Sequence, residues 1–165
     1  MAEGARVIFK PIGIVRTGAS DDEIRSGRGD HESTVEIFPE FEDALDGIDG
    51  FSHIFVLSYL NKLRPEQIGP LKVKPRRFLR EGLKLEELPL VGVFSLDSPT
   101  RPNQIGLSLV KLARRDGRKL VVLGLDLFDG TPVLDIKTYK QAYRIDQYEI
   151  AKWYQELAER AERPI

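Results

Sequence analysis

The chain reads as mainly β (α+β): a single small β-barrel of short strands, with a short helix after the second strand and an α-helix at the C-terminus. Three observations predict this class. Apolar stretches are short and divided by Gly-, Pro- and Asp-bearing breaks, with no repeating strand–helix–strand rhythm. Residues 106–128, "GLSLVKLARRDGRKLVVLGLDLF", hold two strands around Asp116-Gly117, the strongest short hairpin signal. Only the last segment carries clear helical spacing. Closing the sheet into a barrel leaves such strands without open edges.

Taken in order, "RVIFKPIGIVRTG" (6–18) alternates as a first strand, broken by Pro11 and closed by Gly18. The polar, glycine-bearing "ASDDEIRSGRGDHE" (19–32) reads as a loop. "STVEIF" (33–38) is a short second strand, and "PEFEDALDGID" (39–49) starts with proline and stops at Gly47, a short helix. "FSHIFVLSYL" (51–60) is apolar on both faces, as buried strands are, with His53 expected as a hydrogen-bonded core residue. Further strands are expected at "LKVKPRRFL" (71–79), "LVGVFSL" (90–96) and "DGTPVLDIKTY" (129–139). "RIDQYEIAKWYQELAERAE" (144–162) places Ile145, Tyr148, Ala151, Tyr154 or Gln155, and Ala158 at helical spacing, with Asp146 and Glu149 as a capping-box-like start. The expected organisation is a barrel over 1–140 and a helical extension of the same domain over 141–165.

Composition narrows the chemistry. The 165 residues include no Cys, which removes disulfides, thiolate nucleophiles and Cys-bound zinc. With His31 and His53 the only histidines, a His-based metal cage lacks ligands, and no metal is expected. No apolar run approaches the ~18 residues of a membrane span, and "MAEGARVIFKPIG" has no export pattern, so a cytoplasmic protein is expected. Net charge is −1, yet Lys62, Arg64, Lys72, Lys74, Arg76, Arg77 and Arg80 face a single Glu66 within their stretch. A second basic patch, Lys111, Arg114, Arg115, Arg118 and Lys119, surrounds the hairpin turn. Solvated strand edges are the favoured reading of both, over a phosphate-tracking surface.

Dinucleotide-binding, P-loop and α/β-hydrolase signatures are absent. Two stretches remain. "SPTRPNQIGLS" (98–108) uses Pro99 and Pro102 to stiffen a loop carrying Arg101 and Asn103, either a plain corner or the wall of a site. Asp126, Asp129 and Asp135 crowd around the turn in "LDLFDGTPVLD", where Asp129-Gly130 is also ordinary turn chemistry.

Those stretches, with "GIVRTG" and "GIDGFSHIFVLSYL", together resemble the TsaA-like family from about Pro11 to Tyr139. The resemblance implies a β-barrel S-adenosylmethionine-dependent tRNA (adenine-N6)-methyltransferase acting on threonylcarbamoyladenosine 3′ of the anticodon. It also implies a homodimer with sites near its interface. Position by position, the implied cofactor contacts are Asn61, Lys62, Asp97, Leu107, Asp129, Gly130, Thr131 and Pro132, with Arg101 to Ser108 as the wall of the site and Arg101 and Asn103 among its contacts. Asp126, Asp129 or Asp135 is the implied proton acceptor. Phe94 and Tyr139 are candidate base platforms, core packing being the expected role of Phe94. The chain departs from the family where Asp97 replaces an arginine, Asn61 a histidine, and Gln104 and Thr138 prolines. A relative methylating a small molecule, and a non-catalytic barrel acting as a binding module, stay open as alternatives.

Overall fold

The computed structural model describes residues 7–26 and 31–161. Arg6 of the expected first strand, 27–30 of the expected loop and Glu162 of the expected helix lie outside them. The chain divides into two compact units, 1–62 with 104–140, and 63–103 with 141–165. The segment 63–103, assigned to the barrel by sequence, thus clusters with the C-terminal residues.

Eight strands are present among the described residues: β1 (Gly13–Thr17), β2 (Glu32–Ile37), β3 (His53–Tyr59), β4 (Lys72–Val73), β5 (Val91–Gly92), β6 (Ile105–Asp116), β7 (Lys119–Leu123) and β8 (Pro132–Thr138). In the first unit, six of them close an antiparallel barrel in the order β1-β2-β7-β6-β3-β8. The period-2 pattern builds its core. Val15, Val35, Ile54, Val56, Val110, Leu120, Val122 and Val133 point inward, and Leu125 and Leu127 follow them from the segment after β7. Leu45 and Ile48, from the 3-10 turn Pro39–Leu45 and its exit, complete the plug. Mainly β with a closed barrel is therefore the observed class.

Local departures have local causes. The first strand starts only at Gly13, because Pro11 breaks the alternating run before it. β3 buries Ile54, Val56 and Ser58 but leaves His53, Phe55 and Leu57 partly exposed, so it is one-sided and His53 is no core residue. The expected loop holds a helix, α1 (Asp21–Ser26). Its start is a capping box: the Glu23 carboxylate accepts from the Ser20 N–H at 2.8 Å, while the Glu23 N–H reaches Ser20 Oγ at 3.3 Å. The Ser20 N–H holds the Glu23 carboxyl below its ordinary value.

The second unit has a different core. β4 and β5 form a two-stranded ribbon, Lys72 opposite Gly92 and Val73 opposite Val91. The expected strands 71–79 and 90–96 shrink to these pairs and then tighten into 3-10 turns at Arg76–Glu81 and Val93–Ser95. Phe78 and Leu88 pack on Leu157 and Ala158 of the C-terminal helix α2 (Lys152–Arg160). That helix starts later than its periodicity suggests. Asp146 is bound to Arg144 Nε at 2.5 Å rather than capping, and Ile145 and Tyr148 are exposed, so the early turns lack a packed face.

Glu87 ties this unit together, accepting from the Lys84 N–H at 2.6 Å and from Arg160 of α2. The Lys84 N–H, and after it the Arg160 charge, hold the Glu87 carboxyl below its ordinary value. A depressed folded pKa stabilises the native state above the unfolded carboxylate value and loses that contribution as pH falls through the folded one. Glu87→Gln should lower the urea midpoint at pH 7, and its gap from the parent should close as pH drops below about 4.3. A gap unchanged at low pH would show that Glu87 does not act as a charge.

Candidate functional site

In the barrel unit, the expected contacts collect where β3 ends and β8 begins. Asn61 and Lys62 form the turn leaving β3, and Asp129 and Gly130 form the turn entering β8. The second turn is unusually well tied. Thr131 donates to the Phe128 carbonyl through both its N–H, at 3.1 Å, and its hydroxyl, at 2.7 Å. The Gly130 N–H donates to the Val15 carbonyl and the Val15 N–H to the Thr131 carbonyl, each at 2.9 Å. Gly130 sits at φ +78°, a left-handed conformation costly for a residue with a Cβ.

Asp129 does not bond its own turn as simple turn chemistry suggests. Its Oδ1 accepts from the Thr17 N–H at 3.1 Å, 112 positions away in β1. Asp126 accepts from Ser108 Oγ at 2.6 Å, which ties it to the buried side chain next to Leu107, on the opposite face of β6. Asp135 lies in the ladder opposite Leu57, itself opposite Leu107. It is neutralised by Lys137 Nζ at 2.8 Å, the pairing their shared strand face suggests. The three carboxylates thus have three different partners. Asp126 and Asp129 each keep one oxygen without a partner among the described residues.

Lys62 is drawn to the Asp129 turn by Phe128. Its Nζ lies 5.6 Å from the ring centroid, and Arg25 of α1 lies 5.0 Å from the same centroid. Asp21 of α1 stands 3.9 Å from Lys62 and 3.6 Å from Arg25. Arg25, Asp21 and Thr17 are residues that sequence reasoning did not single out. The Ser20-x-x-Glu23 box was the available signal for the first two. Leu107 is 66% exposed on the outward face of β6, among Ile105 and Leu109, which are also exposed.

Asp97, Arg101 and Asn103 belong to the second unit. Arg101 serves its own loop: Nη1 donates to the carbonyls of Leu96 at 2.6 Å and of Val93 and Ser98 at 3.3 Å. The stiffness attributed to the prolines is therefore shared with a guanidinium. Asp97 and Asn103 are exposed.

The three arginines of the hairpin basic patch are structural. Arg114 makes two bonds to the Glu32 carboxylate at 3.1 and 3.2 Å, Arg115 donates to the Leu45 carbonyl at 3.1 Å, and Arg118 to the Ile37 carbonyl at 2.6 Å. In the other stretch, Lys74 donates to the Leu85 carbonyl at 2.7 Å, whereas Arg76, Arg77 and Arg80 are exposed and make no ion pair with a described residue. Among the described residues no three side chains are grouped to hold a metal ion, and no helix is long and apolar enough to cross a membrane.

The profile of the tRNA-methyltransferase O N-terminal domain family matches residues 24–146. A "Probable S-adenosyl-L-methionine-binding protein" of Archaeoglobus fulgidus is 39% identical over 155 residues, covering 91% of this chain and 38% of that protein. The tRNA (adenine(37)-N6)-methyltransferase of Mus musculus is 42% identical over 107 residues, 65% of this chain and 23% of that protein. A crystal structure of TrmO from P. aeruginosa superposes with a TM-score of 0.66 at 26% identity, covering 92% of this chain and 63% of that one. The chain thus spans less than two thirds of each of these three proteins.

The Asp129 link between β8 and β1 is directly testable. Asp129→Ala should cost about 1 kcal/mol, one hydrogen bond to a turn at the surface. Urea unfolding at neutral pH measures it, and no loss would mean that the Thr17 contact is idle in solution.

Proposed function

We propose a function from the premise that this chain belongs to the tRNA-methyltransferase O N-terminal domain family: it is an S-adenosylmethionine-dependent methyltransferase acting on the N6 of a tRNA adenine. The acceptor is threonylcarbamoyladenosine beside the anticodon, and the protein works in the cytoplasm. The observation that supports this most is the Phe128–Thr131 turn. Its backbone is bonded into the barrel wall, so the residues assigned to the donor on family grounds are presented on a rigid edge.

The side chains suit such a donor. When bound, S-adenosylmethionine supplies an electrophilic methyl group on a sulfonium leaving group. Lys62 offers an ammonium for its carboxylate, and exposed Leu107 an apolar surface for its adenine. Asp126 and Asp129, each with one open oxygen, provide negative charge for the sulfonium. Either takes the proton that the acceptor amino nitrogen loses. Asp135, already paired with Lys137, is left out of this role. Arg101 acts as a positioning residue that keeps its loop in shape.

We further propose a homodimer formed through the outer face of β3 and β6. Ile105, Leu109 and Tyr59 are exposed there, on strands paired Tyr59 to Ile105 and Phe55 to Leu109. A contiguous apolar face of this kind is what self-association buries.

Titration calorimetry with S-adenosylmethionine should give clear binding, weakened on the order of tenfold by Asp129→Ala, the equivalent of one charge-assisted bond. Methyl transfer should then be seen on threonylcarbamoylated tRNA, with RNA affinity falling as salt rises. Donor binding with transfer only to a small molecule would replace the acceptor; no heat at millimolar donor would leave a binding module. For the dimer, Leu109→Glu should yield a monomer by light scattering, and a parent that is already monomeric would reject it.

A further inference from the structure

We propose that Phe94 is a stacking platform for an unpaired RNA base. The proposal rests on the tRNA reading above and names the residue that receives the base. Core packing, the role expected for Phe94, is not what the structure has. The ring is 78% exposed, more than any other large apolar side chain among the described residues, while neighbouring Val93 is 1% exposed. The 3-10 turn Val93–Ser95 explains the contrast. The Val93 N–H is pinned to the Leu71 carbonyl at 3.0 Å, which turns Val93 inward and its successor outward.

The exposed ring is also oriented. The Arg101 guanidinium lies 5.9 Å from its centroid, and Nη1 is fixed by the carbonyls of Val93, Leu96 and Ser98. A ring braced on a fixed cation loses little freedom on binding, the condition a stacking platform needs. Charge points to RNA rather than a protein surface. Segment 63–103 carries eight Lys or Arg against five Asp or Glu, in a chain whose net charge is −1. Lys72 is paired opposite Gly92, two residues before Phe94, and Arg76, Arg77 and Arg80 make no ion pair with a described residue. An aromatic face and unpaired cations on one segment are the elements that hold unpaired bases and their phosphates. Tyr139, the other candidate platform, is half-buried and packs on Phe55 at 5.9 Å between centroids.

The test measures binding of a labelled anticodon stem-loop RNA and of an RNA duplex of equal charge by fluorescence anisotropy on the full chain. Phe94→Ala and Phe94→Leu should each weaken stem-loop binding on the order of tenfold, the loss expected of one stacked base. Phe94→Trp should retain it. Duplex binding and the calorimetric donor titration should not change. Unaltered stem-loop affinity in Phe94→Ala, with tRNA still methylated, overturns the platform alone. A loss confined to donor binding reassigns the ring to the donor's adenine, and a change only in oligomeric state reassigns it to a protein contact; both overturn it. A parent that binds donor but neither RNA overturns the platform and the tRNA reading together.

Discussion

Closure of the barrel between its first and last strands is the constraint on which the rest of this unit depends. The β1–β8 seam is short, pairing Gly13 with Val133 and Ile14 with Pro132, and it is lengthened by backbone bonds from Val15 to Thr131 and Gly130. Asp129 adds a side-chain bond to Thr17 at its end. Close approach is also required on the other side of β1, where a Cβ on Gly13 would lie 2.5 Å from the Glu36 carbonyl. The bonds that close the sheet are therefore the bonds that hold the Asp129–Pro132 turn. Stability and the candidate site share one set of interactions, so the turn cannot drift without opening the barrel.

Arginine shows how far identical residues can diverge in use. Arg114, Arg115 and Arg118 read in sequence as solvated strand-edge cations, yet each is spent on Glu32 or on main-chain carbonyls of the same unit. Arg101 is spent likewise within the second unit. Arg76, Arg77 and Arg80 lie on a short 3-10 turn in which Phe78 is fully buried, and the guanidinium groups are left facing water. A guanidinium close to an unbonded carbonyl gains more from that bond than from solvent, and only the fold sets which carbonyls are near.

Legibility followed the same division. The hairpin at Asp116-Gly117 was readable because its turn chemistry and alternation are local and agree. β8 and the short turn after Phe38 were readable for the same reason. The α1 helix was hidden by polar residues and the neighbouring glycines, although its Ser20–Glu23 box was present in the sequence. The capping box at Asp146 and Glu149 misled, since Arg144 competes for Asp146 and no core lies under Ile145 or Tyr148. A cap lowers the cost of starting a helix; it does not supply the apolar surface that sustains one.

By itself, the sequence determined the class of the fold, the absence of thiol chemistry, the hairpin, and the four stretches that mark the family. Each is a matter of composition, period or short-range pattern. Tertiary structure alone decided that Asp129 bonds β1, that Asp126 is held by Ser108, and that Phe94 faces outward. It also decided that 63–103 joins the C-terminal helix rather than the barrel. The physical reason is common to all of them. The partners lie far apart in the chain, and a hydrogen bond or a buried face has no trace in sequence until closure of the chain brings its two halves within reach.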